Sequence, residues 1–87
     1  MKEFNTTLIF EEGLHARPAS ELVKACQAAA SDILIYKGDV SVNPKSILGI
    51  LTLAAGKGDL LKITVEGSDE DVVAERLEAF FKNADIK

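Results

Sequence analysis

At Gly13 the apolar period of the chain changes from two to about 3.6, close to its start. Before that point Phe4, Thr6, Leu8 and Phe10 alternate with Glu3, Asn5, Thr7, Ile9 and Glu11, which predicts a strand with one buried face ending at Gly13. After it, Ala19, Leu22, Val23, Cys26 and Ala30 predict a helix from Ala16 to about Ala30 with its apolar stripe laid on a sheet. A strand and a helix that each hide one face need a shared core, so this pair directs the chain towards layers of sheet and helix.

The remaining segments extend the pattern. Ile33, Leu34, Ile35 and Tyr36 predict a second strand, and Val40 with Val42 a third, joined through a hairpin turn at Lys37-Gly38-Asp39. A short helix follows Ser46 and stops before Gly56 and Gly58. Leu60 to Glu66 predicts the fourth strand, with Leu61, Ile63 and Val65 inward, and Gly67-Ser68-Asp69 ends it. Ser68 or Asp69 is the candidate cap of a last helix whose stripe is Val73, Leu77, Phe80, Phe81 and Ala84, with Glu70 and Asp71 at its positive end. The order βαββαβα is that of an α+β fold, an antiparallel sheet with helices on a single face and the other face partly open. With 87 residues, 47% of them hydrophobic, the chain is expected to form one domain over 1–87 with a modest core.

The lone histidine, His15, stands where the first helix begins. The N–H groups of a first helical turn lack internal partners, and the helix dipole places partial positive charge there, which makes that end a site for anions. Pro18 has no N–H to leave unpaired, and with His15 as the cap the N–H groups of Ala16 and Arg17 stay available. Arg17 adds a planar cationic fork suited to phosphate oxygens. An imidazole with an ordinary pKa of about 6.5 is mostly neutral at pH 7 and has a lone pair with which to attack phosphorus. A lone His before Arg and Pro is equally the composition of a plain surface loop.

Ser46 reads first as a helix cap, since its oxygen accepts from a free N–H. The run Ile47-Leu48-Gly49-Ile50-Leu51-Thr52-Leu53-Ala54 is more apolar than one helix face on a small sheet hides, so one side should stay exposed, rimmed by Arg17, Lys24 and Lys45. Overfilling of the core is the plainer alternative. Cys26 falls on the buried stripe of the first helix and reads as a small hydrophobe. A single cysteine, no span long enough for a membrane and no leader-like start make the cytoplasm the expected location. A net charge of -4 argues against nucleic-acid binding, and the motifs supply no metal-ligand set.

Gly13-Leu14-His15-Ala16-Arg17-Pro18-Ala19 resembles the phosphorylation motif of the HPr family, the histidine-containing phosphocarriers of the bacterial sugar phosphotransferase system. Asn43-Pro44-Lys45-Ser46-Ile47-Leu48-Gly49-Ile50 resembles that family's regulatory serine region, and length and element order agree as well. The resemblance implies an open-faced β-sandwich with sheet order 1-4-2-3. It implies that His15 accepts a phosphoryl group through Nδ1 from phospho-enzyme I, which phosphoenolpyruvate charges, and passes it to enzyme II A domains for sugar uptake. Arg17 and the Ala16 and Arg17 backbone would hold the phosphate, with no cofactor, in a carrier rather than a free-standing catalyst. Ser46 would be a regulatory phosphorylation site, with HPr kinase/phosphorylase and a transcription regulator as further partners of a monomer. Ser20, Lys24, Lys45, Ile47, Leu48 and Leu51 would meet those partners. Leu48 and Leu51 stand where many members with the regulatory serine carry methionine, and Pro44 is unusual before the Lys-Ser pair. A regulatory paralogue serving nitrogen control or transcription-factor binding is the alternative, and a small ligand-binding regulatory domain is a third reading.

Overall fold

The computed structural model describes residues 1–82. Its elements run β1 (Lys2–Thr7), α1 (Ala16–Gln27), β2 (Asp32–Lys37), β3 (Val40–Val42), α2 (Ile47–Leu53), β4 (Leu60–Glu66) and α3 (Glu70–Lys82), the predicted order. The sheet is antiparallel throughout, in the order β1-β4-β2-β3. Its inner face carries Ile33, Ile35, Leu61, Ile63 and Val65, all buried against Leu22 and Cys26 of α1, Ile50 and Leu53 of α2, and Val73, Leu77 and Phe81 of α3. On the outer face Leu34 is exposed and the Lys62 ammonium lies 4.9 Å from the centre of the Tyr36 ring, as a partly open sheet requires. The hairpin between β2 and β3 closes on Gly38, whose φ of 59° suits the tight loop that Lys37 and Val40 flank as a pair.

Two boundaries and one capping side chain differ from the sequence reading. β1 ends at Thr7, not at Gly13, because Thr7 pairs with Leu60, the first residue of β4, and no partner strand extends beyond it. Leu8 and Phe10 stay buried all the same, and a turn closed by the Gly13 N–H on the Phe10 carbonyl (2.9 Å) leads into α1. α1 ends at Gln27, not near Ala30. The Ala29 N–H reaches back to Cys26 O, the Ala29 carbonyl accepts from Lys45 Nζ and the Ala30 N–H donates to Asp69, so tertiary bonds take the groups that another helical turn would need. Asp69 is the third case. Its carboxylate accepts from Ala30 N (2.8 Å) and from Ser31 Oγ and thus ties the β2 approach to the start of α3, where it was expected to cap α3.

Phe80 of α3 packs edge-on against both Phe10 and Phe81, at 5.3 and 5.2 Å between ring centres, and so pins the segment that leads to His15. Ala84, expected on the same stripe, lies outside the described residues. No helix among the described residues is long and apolar enough to cross a membrane.

Candidate functional site

Exposure alternates in blocks along the His15 loop. Gly13 and Leu14 are buried, His15, Ala16 and Arg17 are exposed, and Pro18 and Ala19 are buried again. The imidazole is therefore carried on a short outward arch with an apolar anchor at each foot. His15 caps α1 in extended conformation (φ -128°, ψ 167°), and its ring makes no capping hydrogen bond within the helix. No hydrogen bond runs from the Ala16 or Arg17 N–H to another described residue, so both donors at the positive end of α1 are open beside the imidazole.

Ala16 departs from what its sequence suggests. Its φ of 51° is left-handed, a region that costs a residue with a Cβ about 1 to 3 kcal/mol and persists only where neighbours impose it. Nothing in the residue type announces this, since alanine is a good helix former and the pattern alone predicts an ordinary first turn. The neighbours that impose it are visible. The Leu14 N–H donates to the Ala55 carbonyl at 3.0 Å. Gly13, at φ 70°, lies so close to that segment that a Cβ there would overlap the Ala55 oxygen and come within 2.9 Å of Gly56 Cα. Ala54, the C-cap of α2, is also left-handed at φ 52°. The arch thus leans on the chain reversal after α2, a support that no local sequence signal indicates.

Arg17, Ser20 and Lys24 are exposed and share one face of α1 by their spacing. Ile47, Leu48 and Leu51 are 45%, 72% and 44% exposed, whereas Ile50 and Leu53 are buried, so α2 hides one stripe and presents the other. α2 runs antiparallel to α1. Its C-terminal end meets the His15 loop through Ala55, and its N-terminal end meets the end of α1, where Gln27 Nε2 donates to the Lys45 carbonyl at 2.9 Å. Lys45 is consequently engaged by the fold rather than projecting as a rim cation, its Nζ bonded to Ala29 O at 3.1 Å. Ser46 caps α2, accepting from the Gly49 N–H at 3.3 Å, and sits at the far end of α2 from His15. Cys26 is fully buried, and burial pushes its thiol up to about 12 against a smaller opposing effect of Lys45, which leaves it unreactive.

Comparison with known proteins bears on the family and the fold. The family model described as the PTS HPr component phosphorylation site matches residues 2–83. The chain is similar to the phosphocarrier protein HPr of Treponema pallidum, at 41% identity over 71 residues, covering 82% of this chain and 81% of that protein. It is also similar to the HPr-like protein Crh of Halalkalibacterium halodurans, at 38% identity over 82 residues, covering 94% and 98%. The crystal structure of HPr from Thermoanaerobacter tengcongensis superposes with a TM-score of 0.92 at 35% identity, covering 94% of this chain and 92% of that one.

Proposed function

Because the chain belongs to the HPr family of phosphotransferase-system phosphocarriers, we propose that His15 is the residue on which it carries the phosphoryl group. The observation that carries this reading is the exposed arch, where the imidazole stands next to two N–H groups that no described residue engages and to the Arg17 side chain. The Nδ1 lone pair attacks phosphorus of phospho-enzyme I, and the new P–N bond forms as the donor's bond to phosphorus breaks. The Ala16 and Arg17 N–H groups and the Arg17 guanidinium hold the added oxygens. The same step in the opposite sense delivers the group to a histidine of an enzyme II A domain. Exposed helix-end interactions contribute only about 0.3 to 1 kcal/mol each, which suits a carrier that has to release its load. Transfer of this kind rests on positioning and charge stabilisation. In this reading the protein acts in the cytoplasm as a monomeric carrier and not as a free-standing catalyst.

The exposed side of α2, with Ile47, Leu48 and Leu51, together with Arg17, Ser20 and Lys24 on α1, forms the docking face in this reading, and Lys45 supports it from beneath. Ser46 is a regulatory phosphorylation site. A phosphate there adds a charge of about -1.5 to -2 at the start of α2. With the seven residues of α2 between them, Ser46 and the His15 end are separated by about 10 Å, roughly a Debye length, so the phosphate acts by repelling an acidic partner surface rather than by direct action on His15. The similarity to Crh favours a regulatory paralogue as the second reading. His15 speaks for the relay, which a paralogue without its histidine could not run. Incubation with phosphoenolpyruvate and enzyme I should add the mass of one acid-labile phosphate to this protein and none to His15→Ala. Absence of uptake by the wild type, with enzyme I active on another carrier, would overturn the relay.

A further inference from the structure

The His15 arch rests on a segment, Ala54-Ala55-Gly56, that is itself held by two charged side chains from elsewhere in the chain. Lys37, the last residue of β2, donates from Nζ to the Ala54 carbonyl at 3.2 Å and lies 3.7 Å from Asp59 Oδ2. That same Asp59 oxygen accepts from the Gly56 N–H at 2.8 Å. The Asp59 backbone adds N–H to Gly56 O at 3.0 Å and accepts from the Leu8 N–H at 2.9 Å. Ala55 is the residue between the two clamped positions, and its carbonyl takes the Leu14 N–H next to His15. One ammonium and one carboxylate therefore define where the Ala55 oxygen points, and that oxygen sets the backbone adjoining the imidazole.

We propose that Lys37 and Asp59 are positioning residues for phosphoryl transfer at His15, an inference that rests on His15 being the phosphoryl acceptor. Both side chains are partly exposed, at 33% and 41%, so the pair is a weak contributor to global stability, and its effect is local. A left-handed Ala54 and a left-handed Ala16 lie in the two segments that the Leu14–Ala55 bond joins, two conformations that relax unless they are held. Releasing Ala54 and Gly56 lets the Ala55 carbonyl turn and loosens the arch without touching the docking face on α1 and α2. In-line transfer is sensitive to small misplacement of the attacking nitrogen, so the loss belongs in the chemical step.

The test uses the full chain and variants Lys37→Met, Lys37→Arg and Asp59→Asn, with phosphoryl uptake from phospho-enzyme I followed as kcat and KM and the exchange of the Leu14 amide followed by NMR. The expected result is a kcat lowered roughly three- to tenfold in Lys37→Met and Asp59→Asn with KM unchanged, Leu14 exchange faster by about the same factor, and substantial recovery in Lys37→Arg. Unchanged kcat in both variants, or a raised KM with kcat intact, would overturn the positioning role while leaving His15 as acceptor. Failure of the wild type to take up phosphate would overturn the His15 reading and the positioning role together.

Discussion

Gly13 shows how one missing Cβ sets a reactive residue. Its φ of 70° and its approach to Ala55 and Gly56 exclude any other residue without a shift of backbone on one side or the other. Gly13→Ala combines an unfavourable dihedral with overlap against main chain, which does not yield as a side-chain tip would. Calorimetry should show about 2 to 3 kcal/mol lost, and phosphoryl uptake should fall further than the remaining folded fraction explains, because the displaced group is the Ala55 carbonyl that accepts from the Leu14 N–H. Full uptake by folded Gly13→Ala would argue against the arch as the device that presents His15. The glycine was visible in the sequence as a turn residue. Its partner was not, since Ala55 lies far along the chain and carries no mark of its role.

At the scale of elements, α2 is where a short helix has two tasks. Its inward Ile50 and Leu53 belong to the core, and its outward Ile47, Leu48 and Leu51 do not. Seven residues form a marginal helix by themselves, so its start depends on Ser46 as cap and its end on the left-handed Ala54. Ser46→Ala should lower stability by about 1 kcal/mol, read as a Tm lower by about 4 to 8 °C, with phosphate uptake at His15 unchanged. Ser46→Asp keeps a cap but adds charge, and its uptake from enzyme I should fall through KM. An unchanged KM would remove the electrostatic account of Ser46 control. The cap and the exposed stripe were both legible from spacing and residue type. The antiparallel run of α2 beside α1, which puts Ser46 at the end away from His15, was not, because the order of elements does not specify which ends meet.

For the whole molecule, distant segments are joined by polar ties as well as by the core, and two carboxylates at the start of α3 take part in them. Hydrogen bonds from Ser31 Oγ first, then from Ala30 N–H, hold the Asp69 carboxyl below its ordinary 3.8. Glu70 is likewise held low, by the Gly67 N–H and the chain's amino terminus. The unfolded chain takes up these protons at the ordinary values and the folded chain only at lower pH. Their stabilisation is thus fully present above the ordinary values and is lost as pH falls through the lower folded ones. The Tm should therefore decline on acidification below about pH 4, and Asp69→Asn, starting lower at neutral pH, should show a flatter decline over that range. Parallel acid limbs for the two proteins would show that the Asp69 cluster is not the titrating tie. Ser31, fully buried beneath it, depends on the same bond.

The order of elements, the inward residues of β4, the buried side of α1 and the candidate phosphate acceptor were all determined by sequence alone, because apolar period and the chemistry of helix ends are local properties. The ends of β1 and α1 were decided by the tertiary structure, since a strand stops where its partner stops and a helix where its last groups find distant partners. So were the redirected Asp69, the engaged Lys45 and the left-handed Ala16, each of which answers to a residue remote in the chain. His15 could be singled out from its neighbours in sequence. The arch that presents it depends on Ala55, Lys37 and Asp59, which only folding brings beneath it.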